Sequence, residues 1–482
     1  MFRNIVCLLA LFVVCMAQVH VGTEPISTTR VVSKNIQTRS LAPVDHKAEI
    51  LADEVERKNL NIELPIRFGK PIDVAFTLQN SGTWEKLEDG KLWRLRIVTK
   101  GAFSTNLIFK KFIIPFGATV HVISESSRIG AFTSQNVKED GVFATGPLEG
   151  DSFTIEYYEP KEVQGLGEIE LEKVVHAYRN FFGKQEKNGR SGTCNVNVVC
   201  PDGDKWRDQI NAVAALMTSS GSRFCTGSML NNRNNDGRQL FLSASHCGAP
   251  STSWVALFNY QSSTCARGGS RVLNYTASGM KLLARMPLSD FSLSEVVEKI
   301  PNSYKVYLNG WNAKDEPTQK SVGIHHPAGD VKAISFSDLP VTHSRWGSGP
   351  EGTHWRVERW TKGTTEPGSS GSPLYDTKHR VIGQLHGGSA SCRNPSGYDV
   401  YGKIAKSWDG SSAEQRLKDH LDPKGTGDKT KKGRYLANTK RAQTVESECD
   451  KCAKTCKFFK SAEKFSKCHG FCQEVCAIYK HE

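Results

Sequence analysis

Residues 366–373 read Glu366-Pro367-Gly368-Ser369-Ser370-Gly371-Ser372-Pro373, a serine held between glycines. A serine hydroxyl is a weak nucleophile at neutral pH and needs a base to take its proton. It also needs N–H groups aimed at the oxyanion that forms on attack, and glycine lets the backbone come close enough to supply them. Strings of Gly, Ser and Pro are also ordinary turns, so two upstream segments carry the weight. Phe241-Leu242-Ser243-Ala244-Ser245-His246-Cys247 is an apolar run ending in small residues, a histidine and a cysteine, and Leu288-Ser289-Asp290-Phe291-Ser292-Leu293 sets an aspartate in an alternating apolar pattern. A histidine beside a cysteine, or an Asp-Phe pair at a strand edge, is by itself usually structural. Taken together they predict acyl transfer. Ser370 is expected to attack a carbonyl, His246 to carry the proton, and Asp290 to fix the imidazole tautomer, with the N–H groups of Gly368 and Ser370 as the oxyanion hole.

The chain order His246, Asp290, Ser370 is that of chymotrypsin-like enzymes and differs from subtilisins and α/β-hydrolases. Such a triad needs a rigid frame, and the surrounding sequence reads as one. From about residue 194 to 422 the apolar runs are short and separated by Gly and Ser turns, as expected for β-barrels. Residues 413–421 have helical character and are expected to close this region. Upstream, 92–98, 119–123 and 153–158 alternate apolar with polar residues at period two, with glycines at 101, 117, 130 and 150 between them, which predicts a β-sandwich. A charged stretch from 47 to 58 reads as a short helix or linker.

At 482 residues the chain has room for about three domains. A basic flank (Arg3), an apolar run from Ile5 to Met16 and a small-residue site at Ala17 read as a secretory signal peptide, too short to span a bilayer. Twelve of the 14 cysteines follow it, so disulfides are expected in an exported chain. They fall into two groups of six, one from Cys194 to Cys392 and one from Cys449 to Cys476. The net charge is +13, and residues 424–482 hold 14 Lys/Arg against 7 Asp/Glu. For an exported protein this favours an anionic surface or glycan over nucleic acid.

The expected organisation is therefore a signal peptide at 1–17, a β-rich propeptide at 18–187, a protease domain at 188–425, a basic flexible linker at 426–447 and a six-cysteine module at 448–482. In that module cysteines four apart share a helix face, so Cys452/Cys456 and Cys468/Cys472 are expected to staple a helical hairpin. A zinc site is the less expected alternative. Lys457, Lys460, Lys464 and Lys467 recur around Phe458, Phe459 and Phe465, a pattern suited to an anionic membrane or glycan or to a merely solvated face. Asn274-Tyr275-Thr276 is an N-glycosylation sequon.

The segments around Cys194, Cys225, His246, Ile324-His325-His326-Pro327, Thr365 to Pro373 and Gly383-Gln384-Leu385-His386-Gly387-Gly388 resemble the lysyl endopeptidases of bacteria over roughly residues 189–425. The resemblance implies an all-β, chymotrypsin-like double β-barrel, cleavage after lysine, and no cofactor or metal. It implies disulfides Cys194–Cys392, Cys200–Cys265 and Cys225–Cys247, where the cysteines alone permit 15 pairings. It also implies that Asp399 binds the substrate lysine, with Trp346 and His386 beside the site. Trypsin's pocket acid lies six residues before the nucleophile, and Thr364 stands there in this chain. Trypsin's zymogen switch uses an acid directly before the nucleophile, and Ser369 stands there, so the propeptide is expected to cover the cleft instead. Lys187 or Arg190 is the expected cut. A protease accepting arginine as well, or a catalytically silent binding protein, are the alternatives.

Overall fold

The computed structural model describes residues 23–60, 65–180, 191–218, 221–266, 269, 271, 273, 275–436 and 448–479. The signal peptide, the sequon asparagine and the expected cleavage region at Lys187 and Arg190 lie outside these residues. No helix among the described residues is long and apolar enough to cross a membrane.

Residues 65–180 are strands in two sheets. One is built on Gly90–Val98 and Ser152–Pro160, the other on Ser104–Ile113 and Glu168–Ala177. Alternation places one face of each strand inward, and Leu95, Ile97, Phe109, Phe112, Val120 and Ile155 meet in a shared core. This is the sandwich expected from the period-two pattern. The helix His46–Leu60 lies ahead of it.

Residues 191–436 form two larger sheets. The first runs through Val213–Thr218, Arg223–Leu230, Leu240–Ala244 and Phe291–Val296; the second through Ser321–His325, Pro373–Tyr375, Val381–Gly388, Asp399–Lys403 and His354–Val357. Leu230, Leu242 and Leu293 from the first pack with Ile324, Ile334, Tyr375 and Val381 from the second. The architecture is all-β with two barrel-forming halves, and His246 and Asp290 hang from the first half while Ser370 comes from the second.

Two expectations need correction. Residues 430–435 were expected in a flexible linker, but Thr430–Lys431 pairs with Trp311–Asn312, and Arg434–Tyr435 with Tyr307–Leu308. Backbone hydrogen bonds carry these two-residue edge strands, so the lysine-rich side chains can stay outward. The expected closing helix at 413–421 is two separate turns, Ala413–Gln415 and Lys418–Leu421.

The sandwich is seated on the first half-barrel. Ile66–Arg67 adds an antiparallel strand to Arg223–Leu230, with Ile66 opposite Phe224. Phe68, Ile108 and Val175 of the sandwich share an apolar cluster with Met217, Phe224, Val255 and Leu257. The C-terminal segment is a hairpin of helices Glu448–Cys456 and Ala462–Tyr479, stapled by Cys452–Cys472 and Cys456–Cys468.

Candidate active site

The strand Leu240–Ala244 runs into a single turn, Ser245–Cys247, which presents His246. The disulfide Cys225–Cys247 ties that turn to the neighbouring strand. Asp290 caps the turn Pro287–Ser289 in the left-handed region, φ 55°. This conformation suits a short polar side chain, and it aims the carboxylate back at the histidine. Oδ2 lies 2.8 Å from His246 Nδ1, and Oδ1 accepts the His246 backbone N–H at 2.9 Å. The Asp290 carbonyl accepts from Ser245 N at 2.7 Å, so the turn and the acid move as one unit. Burial pushes the Asp290 carboxyl above its usual range while the imidazole beside it pulls the other way.

Ser370 sits in the turn between Thr365 and Pro373. Its carbonyl accepts from Thr226 N at 2.8 Å, and Cys247 Sγ lies 3.9 Å from the same oxygen. A Cβ at Gly371 would lie 2.4 Å from Ser243 Oγ and 2.7 Å from Ala244 N. Only glycine permits that approach, which draws the Ser370 turn onto the strand that ends in His246. Gly368 has φ 100°, and a Cβ there would meet Gly329 N at 2.7 Å and His326 O at 3.0 Å.

Ser369 occupies the position where trypsin-type enzymes carry a switching acid, and its role here is fixed by hydrogen bonds. Ser335 Oγ donates to Thr364 O at 2.8 Å, so it accepts from His325 Nε2 at 3.0 Å. His325 Nδ1 is then the acceptor for Ser369 Oγ at 2.8 Å, and Ser369 Oγ in turn accepts from Glu366 N at 3.3 Å. Complete burial holds His325 neutral, with its pKa lowered to about 3. The turn is locked by a neutral histidine instead of an ion pair. Glu366 is turned away from the pocket: its Oε2 accepts from Gly192 N at 2.9 Å and Asn195 Nδ2 at 2.8 Å. Close by, Cys194–Cys392 pins the start of the domain, and Cys200–Cys265 ties it to the first half-barrel.

Asp399 lies in the strand opposite Gly388, with its side chain buried beneath the turn that carries Ser370. Oδ2 accepts from Trp360 Nε1 at 2.6 Å and from Thr365 Oγ1 at 2.7 Å. The acid is thus anchored to the turn that carries Ser370, five residues ahead of that serine. Thr364 is buried and neutral.

Trp346 stacks on His386 at 4.0 Å between centroids, and His386 stacks on His246 at 5.4 Å. His386 Nδ1 lies 3.8 Å from Asp290 Oδ2 and 3.0 Å from His354 Nε2. The proton positions follow from the far end of the chain. Thr353 Oγ1 donates to Pro350 O at 3.0 Å, so it accepts from His354 Nδ1 at 2.8 Å. In the neutral ring His354 Nε2 is then an acceptor, and His386 Nδ1 carries the hydrogen. Burial lowers the pKa of His354 to about 4 and that of His386, with the neighbouring histidines adding to the effect, to about 2. The His386 proton is directed to His354, which leaves the Asp290 carboxylate to His246.

The structure therefore brings His246 and Asp290 into direct contact, places Ser370 against the same strand end, and gathers Gly368, Trp346, His386 and Asp399 around them. Sequence reasoning missed His325 and His354. Ile324-His325-His326-Pro327 stood out as a motif, but nothing in the sequence showed that its first histidine would bond Ser369.

Residues 188–402 match the family model described as lysyl endopeptidase, C-terminal domain. A lysyl endopeptidase of Pseudomonas aeruginosa is 29% identical over 305 residues, which is 59% of this chain and 65% of that protein. The matched region thus spans about two thirds of the relative's length. Across residues 188–402 the chain is similar to the lysyl endopeptidases. Among solved structures, an HtrA-type protease AlgW with tripeptide is 15% identical over 40% of this chain and 56% of its own, with a TM-score of 0.28. A serine endoprotease from Yersinia pestis is 14% identical over 41% of this chain and 61% of its own, with a TM-score of 0.29. Likenesses this remote carry no argument about the site.

Proposed function

We propose that this chain is a secreted serine endopeptidase, made as a zymogen, that cuts on the carboxyl side of lysine. The observation that carries the reading is the pairing of His246 Nδ1 with Asp290 Oδ2 at 2.8 Å beside the glycine-framed turn of Ser370. Ser370 Oγ attacks the scissile carbonyl and gives its proton to His246. The oxyanion forms beside the N–H groups of Gly368 and Ser370, each donor lowering the barrier by roughly 3 kcal/mol. His246 then protonates the leaving amine, and water repeats the cycle on the acyl-enzyme. Asp399 receives the substrate ammonium, with Thr365 and Trp360 holding the carboxylate in place. Trp346 and His386 form the apolar wall behind the base.

The seated sandwich supports the zymogen reading. A Cβ at Gly368 would lie only 3.2 Å from Ile66 Cγ2, so the added strand reaches the oxyanion turn. Its position is maintained by ion pairs: Arg67 with Asp53 at 2.6 Å, and Arg223 with Glu56 at 2.8 Å. Because His246 must reach the leaving amine, the leaving half of a substrate lies on the Cys225–Cys247 side, where this strand runs. The disulfides and the apolar N-terminal run support export, and a cut near Lys187 or Arg190 would free the protease.

The test is a cleavage-site profile on a peptide library, using protein severed within 181–190 and freed of the sandwich. Cuts after lysine, abolished by His246→Ala, are expected. Cuts without lysine enrichment would refute the specificity, and no cuts at all would refute the reaction.

A further inference from the structure

The C-terminal hairpin buries Cys452, Cys456, Phe459, Cys468 and Cys472, although two short helices have little interior of their own. What covers this face is the N-terminal sandwich, through Ile113, Val163 and Leu166. Phe116 of the sandwich meets Phe471 of the hairpin at 6.5 Å between centroids. At the rim, Lys464 Nζ pairs with Glu168 Oε1 at 2.7 Å, and Lys467 Nζ donates to the Gln164 carbonyl. Glu168 also pairs with Lys111 of its own sheet. Two of the four lysines that suggested an anionic surface are thus engaged by the sandwich, and Phe459 is in the shared core.

We propose that the hairpin is a docking element for the chain's own N-terminal sandwich, and that it retains the sandwich on the protease after the connection between them is cut. The chain order makes this consequential. The sandwich precedes the protease and the hairpin follows it, so a cut within 181–190 frees the sandwich covalently but leaves the hairpin attached to the protease. The severed sandwich then has two separate holds. One is direct, through Ile66–Arg67 and through Lys138, whose Nζ donates to Thr252 O at 2.8 Å and Ser278 Oγ at 2.7 Å. The other is the hairpin. Two linked contacts hold at an effective concentration of about millimolar, so together they exceed either one by roughly 10²-fold or more. Docking stands on the contacts alone; its consequence for activity rests on the zymogen reading.

The experiment uses the full chain with a foreign protease site placed within 181–190, cut to completion and diluted from micromolar to nanomolar. Gel filtration reads docking, and turnover of a lysyl peptide reads inhibition. The two pieces of the parent are expected to elute together at nanomolar concentration. Lys464→Glu on the hairpin and Val163→Asp on the sandwich are each expected to separate them, with the apparent dissociation constant weakened by roughly 10²-fold. Lys464→Glu leaves the sandwich sequence intact, so misfolding of that domain cannot mimic the result. Equal elution of parent and both variants at every dilution overturns the proposal. A parent whose pieces co-elute while it turns over substrate at the full rate sustains docking and overturns the zymogen reading instead.

Discussion

Replacing Asp399 with asparagine tests how this site selects its substrate. The change keeps the size of the side chain and its ability to accept from Trp360 Nε1 and Thr365 Oγ1, now 2.6 and 2.7 Å away. It removes the charge. The carboxylate is buried, with 1% exposure, so solvent screens it little. Opposite charges about 4 Å apart attract by about 4 kcal/mol at an effective dielectric of 20. Part of that is offset by stripping water from the ammonium, which leaves about 2–3 kcal/mol, the upper part of the roughly 1.5–3 kcal/mol of a hydrogen bond to a charged group. The expected result is a fall in kcat/KM for lysyl substrates of roughly 30- to 150-fold. A substrate with an uncharged residue of similar length at the cleaved position should change by less than about threefold, because the nucleophile turn stays anchored through Thr365. The assay is kcat/KM for matched lysyl, arginyl and uncharged peptides on protein freed of the sandwich. An equal fall for all three would show that Asp399 only supports the turn, and would refute its role as the lysine-binding acid.

The oxyanion turn gives a second expectation. Gly368→Ala places a Cβ 2.7 Å from Gly329 N at a φ of 100°, so the N–H must rotate away, and kcat should drop roughly 10²- to 10³-fold with KM little changed. An unchanged kcat would remove Gly368 from the oxyanion hole. Stability should fall in acid, because burial holds His325, His354 and His386 neutral, with pKa values lowered to about 3, 4 and 2, and His326 well below its ordinary range. Below about pH 6.5 the unfolded chain takes up protons that the folded chain refuses, so each histidine removes about 1.4 kcal/mol per pH unit until its folded pKa is reached. Urea titrations from pH 7 to 5 should show this slope, and a flat profile would contradict it. In the uncut chain, Ile66→Asp puts a carboxylate against the apolar cluster of Phe68 and Phe224, at a cost above the roughly 1–3 kcal/mol of a neutral polar group. Activity of the uncut protein should rise, and no rise would show that this strand does not block the cleft.

The candidate site residues with strong local signatures stand out in the sequence. The Ser370 turn announces itself because its glycines are required by geometry, both at a positive φ and one also pressed against Ser243 and Ala244. The alternating strands of the sandwich were legible for the same reason, since burial on one face leaves a period-two trace. His325 and His354 were not, because their roles depend on which ring nitrogen carries the proton. That is set by Ser335 and Thr353 through contacts that no spacing rule encodes. The strands at 430–435 left no trace because two-residue strands are too short to print a period-two pattern. Likewise, the cysteine spacing foretold a stapled hairpin but not the surface it covers, which lies nearly three hundred residues upstream at Val163, Leu166 and Glu168.

The central claim is that Ser370 is a nucleophile made reactive by His246. Covalent labelling of the sandwich-free protein with a fluorophosphonate, followed by peptide mapping, tests it most directly. The account predicts stoichiometric modification at Ser370, abolished by Ser370→Ala and strongly slowed by His246→Ala. A protein that folds, sheds its sandwich and still leaves Ser370 unlabelled would contradict it.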